Sequence, residues 1–501
     1  MGLFRSERGI GRGEIAESRI EAPFFAIFMM LCTAVILAVH LRFQNQNVTL
    51  ALAVSLIVFG TTVVRVDYGV YILVMAMLFS PEIFAGHEYS GERPLNVRYD
   101  DVLIVVIFLG VLVKLAFEGR QSLWHPNPIN LGIAAYYGVC IISTLLALRA
   151  NLPAWDKRTG FFVMLKMAEF YMVFILVGNA IRTRAEVRRQ LILFFIVAAI
   201  VCIYGVLQVG AGQRVSAPFE SGGDTEPNTF GGYLTLVISI AIGLYVYAPT
   251  LRLKLLLCLF AIGAFVPFLF TLSRASYVAL LAAIVTAGLY GRKPLLLVSV
   301  VGILLASPIL MPEEVKDRVN YTFQRGAGEP VTVAGRETGI QVDKSTHERI
   351  YVWRKVWFIL HVAPWFGGGV SWESVMDSQY ARVILESGLF GITAFLFLQQ
   401  LLFRTARQAS RWSSDWLGRG LGLGMTAGVV GMVVHGIGTI TFLIIRIMEP
   451  FWFLMALTVV MRTLALQEHA QRRASERART AAANRGITPP TRGVQAPAAD
   501  A

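Results

Sequence analysis

Apolar runs about twenty residues long recur along almost the whole chain, and short polar segments separate most of them. A transmembrane helix requires roughly 17 to 25 mainly apolar residues, so each run predicts one membrane-spanning helix. About fourteen spans result on this criterion, which indicates an all-α integral membrane protein. The predicted spans are 23–41, 48–64, 68–86, 102–118, 129–148, 161–180, 190–209, 230–248, 254–271, 275–291, 294–311, 380–403, 417–437 and 449–467.

One polar segment is much longer than the other connections. A structureless loop of about seventy residues is uncommon inside a compact protein, so we expect it to form a small domain or a functional element with short helices. The predicted organisation is a cytoplasmic N-terminal segment (1–22), transmembrane helices 1–11 (23–311), a large periplasmic loop (312–379), transmembrane helices 12–14 (380–467) and a disordered cytoplasmic tail (468–501).

Within the large loop, the sequence STHERIYVWRKVW predicts a helix. Ser345 and Glu348 have the spacing of a capping box, and the helix is expected to run to about His361. Arg349 would lie at its start, on the same stripe as Trp353. The tryptophans indicate a helix at head-group depth on the membrane surface.

Basic residues give the chain a formal charge of +13, and most lie in short loops and in the C-terminal tail. In a membrane protein this distribution reports orientation, so we expect a cytoplasmic N-terminus and no nucleic-acid partner. The four cysteines fall within apolar runs and show no metal-ligand spacing. Neither disulfides nor a structural metal is therefore expected. No other cofactor is predicted.

Three arginines share the outer side under this topology: Arg214, Arg274 and Arg349. A guanidinium is always charged and grips two phosphate oxygens at once, so such a group suits a phosphorylated lipid head group. The alternative is that each arginine snorkels to the interface or pairs with a membrane phosphate.

Several carboxylates and one histidine are further candidates. Asp377 precedes the twelfth span, where it can act as a base or as the N-cap of the helix. Lys166 and Glu169 have the spacing of an ion pair that holds helices together, whereas Glu386 and His435 are single polar groups within spans. Ionisable groups within spans are costly, which makes them functional candidates. The stretch GLGLGMTAGVVG predicts close helix packing.

Four sequence blocks resemble the O-antigen ligase and polymerase superfamily of bacterial envelope glycosyltransferases. They are PNTFGGYL after Arg214, SRASY at the start of a span, ERIYVWRKVWFILHVAPWFGGGVSW, and DSQYARVILESGLFGITAF. Together they extend over about residues 200 to 403 in the order found in that family. VRYDDVLIVVIF also resembles the exopolysaccharide polymerase branch.

This resemblance implies a metal-independent, inverting transfer on the periplasmic face of the bacterial inner membrane. The donor would be a glycan on undecaprenyl diphosphate, and the acceptor a hydroxyl of another lipid-linked sugar, with envelope polysaccharide assembly proteins as further partners. By position, Arg214, Arg274 and Arg349 take the diphosphate-binding roles. Arg349 would also activate the leaving group.

One departure from the family pattern concerns the residue that acts as the general base. Ligases of this superfamily carry a pattern like His-Asn-x-Tyr before the span that follows the large loop, and here that place reads Asp377-Ser378-Gln379-Tyr380. A carboxylate can serve as the base, and His347 and Glu348 are the other candidates. The departure favours a polymerase over a ligase. A lipid-linked sugar transporter is the alternative outside enzymes.

Overall fold

The computed structural model describes residues 46–484 apart from several gaps, and helices dominate this part of the chain. The gaps are 81, 85–96, 118–125, 151–156, 210–213, 219–225, 300–301, 303–328, 334–335, 343 and 373–377. The first nine helices are α1 (Gln46–Val64), α2 (Val66–Phe79), α3 (Tyr99–Phe117), α4 (Pro128–Ala150), α5 (Lys157–Ala180), α6 (Arg184–Gln208), α7 (Pro227–Tyr247), α8 (Leu251–Phe270) and α9 (Arg274–Gly291). The others are α10 (Lys344–Val362), α11 (Gln379–Trp412), α12 (Trp416–His435) and α13 (Ile445–Asn484), with a 3₁₀ turn at Thr441–Leu443.

The prediction of a multi-pass helical membrane protein is confirmed. Among the described residues, nine helices are long and apolar enough to cross a membrane: α4 to α9 and α11 to α13. The helices α1, α2 and α3 occupy three further predicted spans. The predicted span 23–41, and most of 294–311, lie outside the described residues.

The sequence prediction differs from the structure in two details. The span predicted at 68–86 is helical only as far as Phe79. Ser80 has an extended backbone, and Pro81 follows it in the sequence. A proline disfavours helical geometry in the residue before it. The described segments also include two short antiparallel strand pairs that the sequence did not predict: β1 (Glu82–Phe84) pairs with β2 (Val97–Arg98), and β3 (Glu329–Val333) with β4 (Arg336–Val342).

The helix predicted inside the large loop is confirmed, whereas part of the tail differs from expectation. The helix α10 covers Lys344–Val362, close to the predicted 345–361, and the hairpin β3–β4 precedes it. The last helix continues to Asn484, so residues 468–484, predicted to be disordered, are helical. Their composition, rich in Ala and Arg, has high helix propensity, which outweighs their polarity here.

Small residues let the two central helices approach closely. A Cβ added at Gly243 of α7 would lie 2.2 Å from the backbone nitrogen of Gly424 in α12. A Cβ at Gly424 would lie 2.7 Å from the Cα of Ile240. The predicted glycine-mediated packing is therefore confirmed, and α7 lies almost entirely inside the bundle.

Candidate functional site

Arg214 and Arg274, two of the three predicted arginines, meet at one turn. The Arg214 guanidinium donates from Nε to the carbonyl oxygen of Thr271 at 3.0 Å and from Nη2 to that of Leu272 at 3.2 Å. Arg274 is the first residue of α9, two positions later, and it is half-buried. The fold thus brings together two arginines that are sixty positions apart in the sequence.

The turn itself has an unusual backbone. Leu272 has φ of 51°, in the left-handed region that branched side chains rarely adopt. The two bonds from Arg214 hold the carbonyl groups on this strained segment, and the amide of Val215 donates to the carbonyl oxygen of Phe270 at 3.0 Å. Arg214 therefore stabilises the turn from which Arg274 extends.

The start of α9 carries positive electrostatic potential. Ser273 is its N-cap, and the Ser273 hydroxyl accepts from the amide of Ser276. The first amides of a helix lack carbonyl partners within it and carry about half a positive charge in total. With Arg274 as the first helical residue, this end of α9 suits an anion.

His435, the last residue of α12, contacts the first turn of the same helix. Its Nε2 lies 3.0 Å from the Ser276 hydroxyl, and its Nδ1 lies 2.8 Å from the hydroxyl of Thr441 and 3.0 Å from that of Thr439. The imidazole is fully buried. The sequence indicates His435 as a candidate within a span. It does not predict these partners, because Ser276 is far away in the sequence and the two threonines lie in the following loop.

The start of α11 is fixed to the loop that follows His435. The Gln379 amide lies within hydrogen-bonding distance of the carbonyl oxygens of Gly436 at 2.9 Å and Thr439 at 3.1 Å. Its side-chain oxygen accepts from the amide of Phe442 at 3.0 Å. Asp377 lies outside the described residues, two positions before this anchor.

Arg446 connects the last helix to the segment that bears Arg214. It is buried at the start of α13 and donates from Nη1 to the carbonyl oxygen of Pro218 at 2.6 Å. Four segments therefore meet at one end of the bundle, and we call them the loop junction: 214–218, 271–276, 378–382 and 435–446.

Arg349, Glu348 and His347 lie in the first turns of α10, and their side chains are outside the described part of the chain. The helix packs on α11 through a small apolar core of Val352, Val356, Ile359, Ala381 and Leu385. Ala381 and Leu385 follow Gln379 on the anchored helix. The backbone that carries Arg349 is thus joined by α11 to the loop junction.

A buried ion pair on α11 was missed by the sequence reasoning. Arg382 donates from Nε to Glu386 at 2.7 Å, and the Glu386 carboxylate also accepts from the amide of Ser371 at 2.9 Å. Both side chains are buried. The spacing of four residues was a usable signal, because such pairs face each other on a helix. This pair explains how a glutamate can lie within the twelfth predicted span.

The glycine-rich segment after α10 packs against a break in α11 and supplies hydrogen-bond partners there. Gly388 has φ of 64° and interrupts the helix. The amides of Gly368 and Gly369 donate to the carbonyl oxygens of Leu385 and Glu386, and the amide of Leu389 donates to that of Pro364. Residues 363–372 form this re-entrant turn, in which backbone groups of the large loop replace missing helical partners.

The ion pair predicted between Lys166 and Glu169 is present at 3.3 Å, but Lys166 also pairs with Asp101 at the start of α3. The link between helices therefore comes from Asp101, since Lys166 and Glu169 are both on α5.

Comparison with known families gives a match to one segment within the second half of the chain. Residues 259–396 match the family model described as O-antigen ligase. The matched region runs from α8 to the middle of α11 and includes Arg274, Arg349 and Asp377, whereas PNTFGGYL and Arg214 precede it. The comparison with curated proteins gives no match to the chain. The family match confirms, over these residues, the resemblance to the O-antigen ligase and polymerase superfamily that is found in the sequence.

Proposed function

We propose that this protein is a membrane glycosyltransferase that joins lipid-linked repeat units into an exopolysaccharide or O-antigen. The donor would be a glycan on undecaprenyl diphosphate, and the active site would face the periplasm. The observation that carries the proposal is the turn at 271–274, where Arg214 and Arg274 meet at the positive end of α9. A lipid diphosphate could bind there with its head group at the loop junction and its chain in the bilayer.

The proposed reaction is a displacement at the anomeric carbon of the donor sugar. The acceptor hydroxyl forms the new carbon–oxygen bond, the bond to the phosphate oxygen breaks, and the diphosphate leaves with the electron pair. Negative charge grows on the leaving diphosphate, so fixed cationic groups stabilise the transition state more than the ground state. Arg274 and Arg349 are the proposed diphosphate ligands. Arg214 contributes charge and holds the turn.

The acceptor proton must pass to a base. Asp377 is the first candidate because it precedes Gln379, the residue anchored at the loop junction, by two positions in the sequence. His347 and Glu348 are the alternatives on the first turns of α10. A carboxylate base is compatible with the sequence DSQY in place of the histidine pattern of ligases.

The test is reconstitution of the purified protein in liposomes with undecaprenyl-diphosphate repeat units, with and without lipid A core, followed by sizing of the glycan. A ladder of products without core supports the polymerase. A single shifted band that requires core supports a ligase, as the description of the matching family suggests. Absence of product in both conditions contradicts the enzyme and favours a lipid-linked sugar transporter.

Arg274→Lys tests the diphosphate role directly. Lysine keeps the charge but cannot grip two oxygens at once, so we expect turnover to fall on the order of tenfold to a hundredfold. Arg292→Lys is the matched control, because Arg292 lies at the other end of the same helix. Wild-type turnover by Arg274→Lys in the liposome assay would refute the proposed bidentate binding of the diphosphate by Arg274.

A further inference from the structure

A second cluster of charged groups lies between α3, α5 and α13, outside the site described above. Asp100 and Asp101 begin α3, and Glu449 lies in the second turn of α13. All three residues are buried, and each offers a carboxylate oxygen within 4.8 Å of the oxygens of the other two. The cluster thus joins acids that are about 350 positions apart in the sequence.

Asp100 and Asp101 have cationic partners. Arg98 places Nη2 at 2.9 Å from Asp100, and its amide donates to Asp101 at 2.8 Å. Lys166 forms an ion pair with Asp101 and lies 3.3 Å from Glu169. These contacts account for one oxygen of each aspartate.

Glu449 is different, because it is fully buried and neither carboxylate oxygen has a hydrogen-bond partner among the described residues. Removing a carboxylate from water without a partner is strongly unfavourable. Its position against Asp100 and Asp101 increases the cost through repulsion between like charges. The glutamate therefore points to a positively charged ligand that is shared with the aspartates.

The charged groups of the cluster indicate how much positive charge a ligand would have to supply to neutralise it. Four carboxylates, those of Asp100, Asp101, Glu169 and Glu449, face two cations, Arg98 and Lys166. With all groups ionised, the excess of two negative charges equals the charge of one divalent cation.

We propose that Asp100, Asp101 and Glu449 bind a divalent cation of the hard, oxygen-preferring class, such as Mg²⁺, Mn²⁺ or Ca²⁺. These ions take carboxylate oxygens at about 2.0 to 2.6 Å, so two oxygens on one ion are at most roughly 4 to 5 Å apart. A separation of up to 4.8 Å is within twice the Ca²⁺–oxygen distance and exceeds twice the Mg²⁺–oxygen distance of about 2.1 Å, so the larger ion fits the present geometry better. The ligands include no sulfur or imidazole, which disfavours a site for softer metals.

The cation would be structural, and the transfer reaction would not pass through it. It would join α3 to the first turns of α13, where Arg446 fixes the loop junction by donating to Pro218. Metal loss would loosen the helix that holds the segment carrying Arg214. The expectation of a metal-independent transfer is unaffected.

The test uses the full-length protein in nanodiscs after treatment with a chelator. Mn²⁺ is titrated and followed by electron paramagnetic resonance, and thermal unfolding is measured with each of Mg²⁺, Mn²⁺ and Ca²⁺ at about 1 mM and with chelator alone. We expect close to one bound Mn²⁺ per chain, displaced by Mg²⁺ or Ca²⁺, and a rise in Tm of at least about 3 °C.

The variant Glu449→Gln removes one ligand charge and keeps the side-chain size. It should reduce Mn²⁺ affinity at least about tenfold and abolish the metal-dependent rise in Tm. Glu468→Gln is the matched control on the same helix, where Glu468 pairs with Arg184 at 2.6 Å away from the cluster, and it should bind Mn²⁺ as the wild type does.

Two results would overturn the proposal. One is wild-type protein that binds no Mn²⁺ and unfolds at the same temperature with metal and with chelator, which would mean that protons neutralise the cluster. The other is unchanged Mn²⁺ binding by Glu449→Gln. The wild-type titration decides the question even when the variant fails to fold.

Discussion

At the scale of single residues, the contacts of His435 link three segments. Its two ring nitrogens reach hydroxyls on α9 and on the loop after α12, in a fully buried position. A buried polar group that loses its partner costs more than one hydrogen bond contributes. His435 is therefore best understood as a positioning residue for the helix start that bears Arg274.

His435→Ala and Ser276→Ala test this role as a pair. Each should lower the free energy of unfolding by about 1–3 kcal/mol and reduce turnover in the liposome assay. Because both remove the same contact, we expect the double variant to lose clearly less than the sum of the two. His361→Ala, at an exposed position, is the control. Additive effects in the thermal and kinetic measurements would show that the Ser276 contact does not position the helix.

The sequence could show that these residues were unusual but not what they touch. A histidine or glutamate inside an apolar run is conspicuous, whereas the pairing of Ser276 with His435 depends on how α9 and α12 pack. Glu449 was not singled out from the sequence, and its carboxylate lies within 4.8 Å of those of Asp100 and Asp101, about 350 positions away. Periodicity carries no information on such distant partners.

At the scale of elements, the break in α11 depends on two glycines, one on each side of the contact between α11 and the re-entrant turn. Gly388 has φ of 64° and ψ of −156°, a region open essentially to glycine alone. A Cβ there would lie 2.5 Å from the carbonyl group of Trp365. Gly367 has φ of 66°, and a Cβ there would lie 2.6 Å from the carbonyl oxygen of Leu385. Neither position leaves space for a side chain.

Gly388→Ala should therefore lower the free energy of unfolding by about 1–3 kcal/mol through backbone strain. The clash of the added Cβ with the Trp365 carbonyl group should lower it further. Thermal unfolding in nanodiscs measures the effect. Gly138→Ala in α4 is the matched control, since nothing lies within 4 Å of the added Cβ. Equal Tm values for the two variants would contradict the described fit between the re-entrant turn and α11.

Helices were the part of the fold that the sequence predicted best. Most predicted spans coincide with observed helices within a few residues, because burial in lipid imposes a continuous apolar run. The errors fall where another rule competes, as at Pro81 after α2 and at the polar helical extension of α13. The glycines of the re-entrant turn signalled only that α10 ends, and gave no indication of the helix that they complete.

At the scale of the whole molecule, two polar clusters lie far apart along α13, one at its start and one at Glu468. Arg446 belongs to the loop junction, and Glu468 pairs with Arg184, which also lies 3.2 Å from Asp415. About 22 residues separate Arg446 from Glu468, or roughly 33 Å of helix, which matches the hydrocarbon thickness of a bilayer. The molecule thus has the polar ends expected of a spanning bundle.

The proposed orientation predicts which end faces the periplasm. With the four native cysteines replaced by alanine, a membrane-impermeant maleimide should label His361→Cys in intact spheroplasts, because it lies in the large loop near the end of α10. Ser475→Cys, exposed near the end of α13, should react only after permeabilisation. The reverse pattern would place the loop junction in the cytoplasm and exclude a periplasmic transfer.

The re-entrant turn also has a consequence for how the protein is made. The carbonyl groups of Leu385 and Glu386 obtain their partners from Gly368 and Gly369, and these glycines belong to a loop proposed to cross the membrane before α11 is synthesised. The Glu386 carbonyl group also accepts from the Ser143 hydroxyl of α4, so on insertion by the translocon the Leu385 carbonyl group is the one of the two that waits for the loop. Biogenesis then includes a late step, after the loop has reached the far side, in which residues 363–372 dock and the helix becomes complete.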